Sequence, residues 1–406
     1  MMGTWSPLAM ASGGHEEPVA PVLLALAVIL AIAKIAGDIA ARIGQPAVLG
    51  ELIAGILLGN LHLVGFDGFQ VLGSNATIEG LAHLGVIILL FEVGLESTVR
   101  DMLKVGVPSL LVAILGVATP FALGWLTGAL LLPDRSVYVH AFLGATLTAT
   151  SVGITARVLR DLGRSDSREA RVILGAAVFD DVLGLVILAV VASVISAANA
   201  GGSLSPGETG CILLKAHGFL FGALAIGPLI SPKLFGLASR LRGHGVLLAT
   251  SLVFCFLVAY LASLIGLAAI VGAYAAGLIL ERVHYRDFTE RKEHELEHLI
   301  QPISSFLVPV FFVLMGMRVG LEAFARPEIL GLAGVLTLAA IIGKQMCALG
   351  AVGGGLDRLT IGLGMIPRGE VGLIFANLGL GLSVRGEPIV DDGIYSAVVI
   401  MVVITT

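Results

Sequence analysis

The 406-residue sequence is 57% hydrophobic and only 13% charged, whereas about a quarter of the residues in an ordinary soluble domain are charged. This composition excludes a soluble globular protein and predicts a chain that lies in a lipid bilayer. The formal net charge of −5 comes without a basic block or patch, so nucleic-acid binding has no support. The spacing of Cys211, Cys255 and Cys347 fits neither a metal site nor a disulfide framework, and no cofactor is expected.

Long charge-free runs mark the predicted membrane spans, at residues 105–133, 182–207, 245–280 and 300–317. Together with spans that contain isolated charges, they predict an all-α polytopic membrane protein with about thirteen transmembrane helices. The predicted starts lie near residues 21, 46, 77, 104, 137, 167, 209, 244, 266, 302, 327, 356 and 391.

Basic residues concentrate in one set of the predicted loops, of which Arg157, Arg164 and Arg291 are examples. The opposite set contains only Arg135, Arg318, Arg326 and Arg385. The positive-inside rule therefore predicts a multi-pass protein of the cell inner membrane with its N-terminus outside and its C-terminus in the cytoplasm. Residues 1–18 lack a basic flank, so we expect a short external tail rather than a secretory signal peptide.

Two short motifs recur in the same order. G-E-L-I-A-G-I-L-L at residues 50–58 resembles G-A-Y-A-A-G-L-I-L at 272–280, and V-G-L-E at 93–96 recurs at 319–322. In the predicted orientation the two copies run in opposite directions, which indicates an inverted-repeat transporter.

An offset of roughly 220 to 226 residues between the repeats maps the polar stretch 148–153 onto about 369–376. Both stretches are expected to interrupt a helix, and paired interrupted helices indicate a substrate site near the bilayer midplane. With the same offset, the given sequence ends near the middle of the last predicted span. We therefore expect this sequence to be truncated.

Asp180 and Asp181 follow Arg171 by about ten residues, which corresponds to a depth of about 15 Å in the bilayer. Neighbouring helix positions point about 100° apart, so one carboxylate can pair with a cation while the other faces a water-filled cavity. A carboxylate in such a cavity can exchange a proton for a metal cation; the alternative is two structural ion bridges. Lys344, at similar depth, is the expected partner of one aspartate.

Further polar residues lie in the predicted interruptions. Arg368 and Glu370 are expected to compensate the ends of the half-helices and each other. Thr148, Thr150 and Ser151 offer hydroxyls that either bind a cation or cap broken backbone, and the sequence leaves both roles open.

Secondary candidates lie outside the interruptions. Glu92 and Glu96 are either lining residues of an access funnel or structural. The motif His294-Glu295-x-x-His298 fits the zinc-protease pattern and gives a remote alternative function. It falls in a charged cytoplasmic connector that more readily forms an interfacial amphipathic helix.

Five motifs together resemble the second monovalent cation:proton antiporter family. They are the motifs at residues 44–55 (GQPAVLGELIAG), 91–96 (FEVGLE), 148–155 (TATSVGIT), 179–184 (FDDVLG) and 367–372 (PRGEVG). The resemblance covers the chain from Pro21 onward. The Asp-Asp pair is similar to that of Nap- and Ger-type sodium/proton antiporters, whereas Kef-type potassium efflux proteins commonly have Gln-Asp.

This resemblance implies exchange of Na⁺, and also Li⁺, for H⁺ by elevator-type alternating access in a homodimer. Asp181 matches the carboxylate that binds cation and proton in competition, and Asp180 matches the partner of Lys344. Exchange or efflux of K⁺ remains the alternative.

The resemblance also divides the chain into parts. Residues 19–97 and 244–325 would be scaffold and dimerisation helices, 98–200 and 326–406 the mobile core, and 201–243 a linker helix.

Overall fold

The computed structural model describes residues 20–65, 75–96, 106–165, 167–201, 206–241, 243, 245–280, 296–353 and 355–406. These residues form fifteen α-helices, three 3₁₀ helices and one small antiparallel hairpin. The predicted external tail, residues 1–18, lies outside the described residues.

The first eight helices are α1 (Ala20–Arg42), α2 (Ala47–Gly59), α3 (Ala76–Glu96), α4 (Val107–Leu131), α5 (Val137–Thr146), α6 (Val152–Asp161), α7 (Arg168–Gly201) and α8 (Pro206–Ala238). The others are α9 (Val246–Leu264), α10 (Ala269–Ile279), α11 (Leu296–Met317), α12 (Pro327–Met346), α13 (Arg358–Gly364), α14 (Gly369–Leu380) and α15 (Asp392–Thr405). The 3₁₀ helices are Leu61–Val64, Leu321–Ala325 and Cys347–Gly350, and strands β1 (Ser383–Val384) and β2 (Glu387–Pro388) form the hairpin.

The described residues confirm a helical membrane protein. Eight of their helices are long and apolar enough to cross a bilayer, and the bent pair α13 and α14 gives a ninth candidate span. Four further apolar helices, α2, α5, α10 and α15, are shorter. A helix begins near each predicted start, but the total of thirteen spans stays a prediction because the short helices do not reach a full bilayer thickness by themselves.

The chain divides into two compact units. One contains the described residues of Met1–Leu89 and of Pro302–Leu330, and the other contains those of Leu90–Gln301 and of Gly331–Thr406. The division into scaffold and mobile core stays a prediction, because it concerns movement and one static arrangement does not measure movement.

Within each unit, two helices cross at glycines in direct backbone contact. In the first unit, a Cβ on Gly55 of α2 would lie 2.1 Å from the carbonyl oxygen of Val313 in α11. In the second unit, a Cβ on Gly94 of α3 would lie 2.4 Å from the carbonyl oxygen of Tyr274 in α10. Such distances exclude any side chain larger than hydrogen at both crossings.

The two crossings are related by the internal repeat. Gly316 faces Gly55 across one crossing and Gly277 faces Gly94 across the other. Gly277 lies 222 residues after Gly55, and Gly316 lies 222 residues after Gly94. Each crossing therefore joins a helix of one repeat to a helix of the other. The equal spacing at the two crossings supports the internal repeat.

The two V-G-L-E copies lie at different positions relative to their helices. The first copy, residues 93–96, ends helix α3, whereas the second copy, residues 319–322, begins after helix α11 has ended at Met317. The glycine crossings instead match Gly94 with Gly316, one helical turn earlier. The offset of 222 residues at the crossings lies within the predicted range of roughly 220 to 226, and the V-G-L-E copies lie at its upper limit.

Candidate functional site

The first interrupted helix consists of α5 and α6, which are separated by residues 147–151. Three of these five residues are Thr or Ser, whose hydroxyls compete with helical hydrogen bonds for backbone groups. The Thr148 hydroxyl donates to the carbonyl oxygen of Ala145 at 2.7 Å, and Ser151 has extended backbone angles as the first residue before α6. The chain therefore leaves α5 and starts a new helix in the middle of a buried segment.

The second interruption lies between α13 and α14, at residues 365–368. Pro367 lacks an N–H and disfavours helical geometry at the residue before it. Gly369 has a positive φ of 52°, and a Cβ there would lie 2.8 Å from the Cβ of Ser151. The predicted interruption at about 369–376 was therefore displaced by several residues, because that stretch belongs to helix α14.

The two interruptions contact each other and satisfy each other's backbone groups. The Ser151 N–H donates to the carbonyl oxygen of Pro367 at 2.8 Å, and the Thr155 hydroxyl donates to the carbonyl oxygen of Gly364 at 2.8 Å. The Thr150 hydroxyl donates to the carbonyl oxygen of Met365 at 3.4 Å. These contacts supply partners for carbonyls at the end of α13, which have no intrahelical N–H.

Arg368 fulfils the reciprocal role for the first interruption. Its buried guanidinium donates to the carbonyl oxygens of Leu147 and Ala149, the latter at 2.9 Å, and to that of Ala340 in α12 at 3.3 Å. A positive charge at the carbonyl end of α5 also offsets that helix's negative dipole end. One side chain thus joins both interruptions to helix α12.

A buried ion pair lies beside the interruptions. Lys344 Nζ donates to Asp180 Oδ1 at 2.8 Å and to Oδ2 at 3.0 Å, and it also donates to the carbonyl oxygen of Thr148 at 2.8 Å. Both side chains are fully buried. The Thr150 hydroxyl also interacts with the Asp180 carboxylate. The ammonium group therefore links helices α7 and α12 to the first interruption.

Asp181 follows Asp180 on helix α7, and its neighbouring position directs its side chain about 100° away. It is also buried, with 6% of its surface exposed against 1% for Asp180. Glu370 lies in the first turn of α14, and the Ser151 hydroxyl donates to both of its carboxylate oxygens at 3.3 Å. The compact unit that contains Lys344 thus has Asp180, Asp181 and Glu370 near the interruptions.

The structure gives less information on the secondary candidates. Glu92 is half-buried on α3, and the side chain of Glu96 lies outside the described residues. His294 and Glu295 also lie outside them, and only His298 of that motif is described, in α11. Among the described residues, no cluster of three His, Cys, Asp or Glu side chains could hold a metal ion.

Sequence reasoning missed some members of the site. Thr155 was part of a quoted motif but was not assigned a role, and its spacing of four residues from Ser151 was the available signal. The acceptors of Arg368 are the backbone carbonyls of Leu147, Ala149 and Ala340. Because every residue has such a carbonyl, residue identity does not indicate them.

Broken apolar helices that meet beside a buried ion pair define a polytopic secondary transporter as the class of this protein. The chain belongs to the sodium/hydrogen exchanger family, whose transmembrane model matches residues 26–406. The relatives in the family are cation/proton antiporters, so the protein is a transporter and not an enzyme.

Two relatives illustrate the similarity. The high-affinity Na⁺/H⁺ antiporter NhaS3 of Synechocystis sp. is 38% identical, over 96% of this chain and 90% of the relative. The Na⁺/H⁺-K⁺ antiporter GerN of Bacillus cereus is 35% identical, over 94% of this chain and 92% of the relative. The solved sodium proton antiporter MjNhaP1 of Methanocaldococcus jannaschii shares the fold, with a TM-score of 0.68 at 16% identity, over 95% of this chain and 94% of that one.

Proposed function

We propose that this protein exchanges Na⁺, and also Li⁺, for H⁺ across the cell inner membrane, with both ions competing for Asp181. The observation that carries the proposal is the buried Lys344–Asp180 pair next to Asp181, where two interrupted helices meet. Buried ionisable groups inside a membrane protein are costly and mark ion pathways. The names of two relatives, "High-affinity Na⁺/H⁺ antiporter NhaS3" and "Probable Na⁺/H⁺ antiporter GerT" of Bacillus cereus, support the choice of ions.

The chemistry of the proposed exchange is competition for one carboxylate. A protonated Asp181 has no charge to offer a cation, and a cation-bound Asp181 excludes the proton. Hard cations prefer oxygen ligands, and carboxylate, hydroxyl and backbone carbonyl oxygens are all present here. The Thr150 hydroxyl already donates to a backbone carbonyl and the Ser151 hydroxyl to the Glu370 carboxylate, but a hydroxyl oxygen retains lone pairs that can bind a cation.

The proposed cycle uses Lys344 as the element that changes between two states. Lys344 holds Asp180 while the site is empty or protonated, and it releases Asp180 when a cation binds. Ligands shift such an equilibrium only by binding one state more tightly than the other. The core helices then carry the site across the membrane by an elevator-like movement against a scaffold, within a homodimer.

Exchange or efflux of K⁺ is the second candidate. It is favoured by the names of two relatives, the Na⁺/H⁺-K⁺ antiporter GerN and the K⁺/H⁺ antiporter subunit KhtU of Bacillus subtilis, which is 29% identical. Oxygen ligands alone do not select between Na⁺ and K⁺. A panel of Li⁺, Na⁺ and K⁺ in proteoliposomes, with and without a membrane potential, separates the two candidates and reports electrogenicity.

Substitution of Asp181 tests the proposed site. We expect Asp181→Asn to abolish Na⁺-driven proton flux, because an amide neither releases a proton nor neutralises a cation. Proton flux is measured as fluorescence dequenching in proteoliposomes, and gel filtration checks that the variant remains folded. Glu322→Gln is the matched control, since this carboxylate is exposed and lies in the other compact unit. Preserved exchange in Asp181→Asn contradicts the proposal.

A further inference from the structure

Helices α4 and α12 approach each other unusually closely beside the Lys344–Asp180 pair. A Cβ on Gly343 would lie 2.8 Å from the Cα of Pro120. In the 3₁₀ helix that follows α12, a Cβ on Gly350 would lie 2.6 Å from the carbonyl carbon of Leu111. Contacts of backbone on backbone cannot be relieved by a side-chain rotation. The backbone of α4 therefore determines where the residues around Lys344 lie.

A single hydroxyl connects the two backbones at this crossing. Thr119 Oγ1 on α4 lies 2.5 Å from the carbonyl oxygen of Leu115, on its own helix, and 2.6 Å from the carbonyl oxygen of Gly343. The second contact is the unusual one, because a hydroxyl on a helix ordinarily bonds only to the preceding turn. Thr119 thus shares its proton between two helices.

The Gly343 carbonyl lies near the end of helix α12, where the Thr119 hydroxyl reaches it from α4. Helix α12 ends at Met346, and the chain continues as the 3₁₀ helix Cys347–Gly350. The Thr119 hydroxyl supplies a donor at that point.

The Gly343 carbonyl also belongs to the peptide group that contains the backbone nitrogen of Lys344. Because a peptide group is planar and rigid, a bond that holds this oxygen also orients the start of the Lys344 residue. On the same helix α4, Gly116 faces the pair: a Cβ there would lie 3.4 Å from Asp180 Oδ1 and 3.8 Å from Lys344 Nζ. One turn of α4 thus bonds to the peptide group before Lys344 and lies beside the charged end of its side chain.

From these contacts we infer that Thr119 is a positioning residue for transport: it holds Lys344 in the orientation that pairs with Asp180. The inference rests on the proposed exchange at Asp181, and it adds a residue outside the quoted motifs. Removal of the hydroxyl weakens the Lys344–Asp180 pair, which cation binding must break in the proposed cycle. The cation then competes with a weaker internal partner and binds more tightly.

Thr119→Val tests this inference, because valine keeps the shape of threonine without its hydroxyl. The measurement is the melting temperature of the purified protein against Na⁺ concentration, since a ligand that binds the folded state stabilises it by mass action. We expect the half-saturating Na⁺ concentration to fall about two- to tenfold, the range set by the net contribution of one hydrogen bond. Thr119→Ser, which keeps the hydroxyl, should restore the original value.

Thr127→Val is the matched control on the same helix. Thr127 is buried, and among the described residues its hydroxyl donates to the carbonyl oxygen of Leu123, in the preceding turn of α4, at 2.8 Å and not to a second helix. This variant can lower the melting temperature without Na⁺, but the half-saturating concentration should not change. If Thr119→Val does not fold, the smaller Thr119→Ala is measured in its place.

The outcomes separate the two proposals. An unchanged or raised half-saturating concentration in Thr119→Val, or an equal fall in Thr119→Ser, overturns the positioning role while exchange by the original protein continues. Absence of any Na⁺-dependent stabilisation and exchange in the original protein overturns the proposed function itself. A fall confined to the variants without the hydroxyl supports the inference.

Discussion

At the scale of single residues, the buried charges are balanced by specific partners rather than by solvent. Lys344 has both Asp180 oxygens and the Thr148 carbonyl within 3.0 Å, so its three N–H donors all have acceptors. The charged guanidinium of Arg368 donates to backbone carbonyl oxygens. Because burial without such partners costs several kcal/mol per ion, these contacts are needed for the fold.

Removal of one member of the pair tests this balance. We expect Lys344→Gln to destabilise the protein by about 3–5 kcal/mol, because Asp180 then remains buried without a counter-charge. The double variant Asp180→Asn with Lys344→Gln should recover part of this loss, since two neutral groups replace the ion pair. Thermal melting of the purified variants measures both effects.

Arg42→Gln is the control for that prediction. Arg42 pairs with Asp38 at 2.7 Å, but their side chains are 76% and 58% exposed. An exposed pair contributes little to stability, so this variant should melt close to the original protein. Equal losses in Arg42→Gln and Lys344→Gln would contradict the assigned balance of buried charge.

At the scale of helices, glycines allow the closest helix approaches. The two interruptions provide hydrogen-bond partners for each other's backbone. The crossings of α2 with α11 and of α3 with α10 leave no room for a methyl group. At the interruptions, Thr155 and Ser151 bind carbonyls of the second break, while Arg368 binds those of the first. Each interrupted helix therefore depends on the other for its backbone hydrogen bonds.

Substitution of Gly55 tests the crossing of α2 with α11. We expect Gly55→Ala to cost about 1–3 kcal/mol, because its Cβ would overlap the backbone and force the helices apart. Gly80→Ala on α3 is the control: a Cβ there meets nothing within 4 Å, and alanine is the better helix former by up to about 1 kcal/mol. Opposite shifts in melting temperature are expected, and a loss of similar size in both variants would exclude the packing explanation.

At the scale of the whole molecule, the loops at the two ends of the interrupted helix α5–α6 are predicted to lie on opposite sides of the membrane. Asp134 precedes α5 and Ser165 follows α6, and both are exposed. With the predicted orientation, Asp134 faces the outside and Ser165 the cytoplasm.

Cysteine labelling tests this orientation. We expect a membrane-impermeant thiol reagent to label Asp134→Cys but not Ser165→Cys in intact cells, and to label both after permeabilisation. The native Cys211, Cys255 and Cys347 are all replaced in the background used. The reverse pattern would invert the predicted topology.

The sequence by itself determined the class of protein, most helix positions and the identity of the charged residues in the site. This was possible because a membrane span requires a long apolar run, and a charge within such a run stands out at once. Asp180, Asp181, Lys344 and Arg368 were recognised in this way.

Only the tertiary structure decided what these charges contact and where the second interruption lies. The acceptors of Arg368 are backbone carbonyls, which every residue has, and the displacement of the interruption to residues 365–368 depends on contact with Ser151. The bond from Thr119 to Gly343 joins residues far apart in the chain. These partners depend on which backbone segments come close together in the folded protein. A local stretch of sequence does not indicate that proximity.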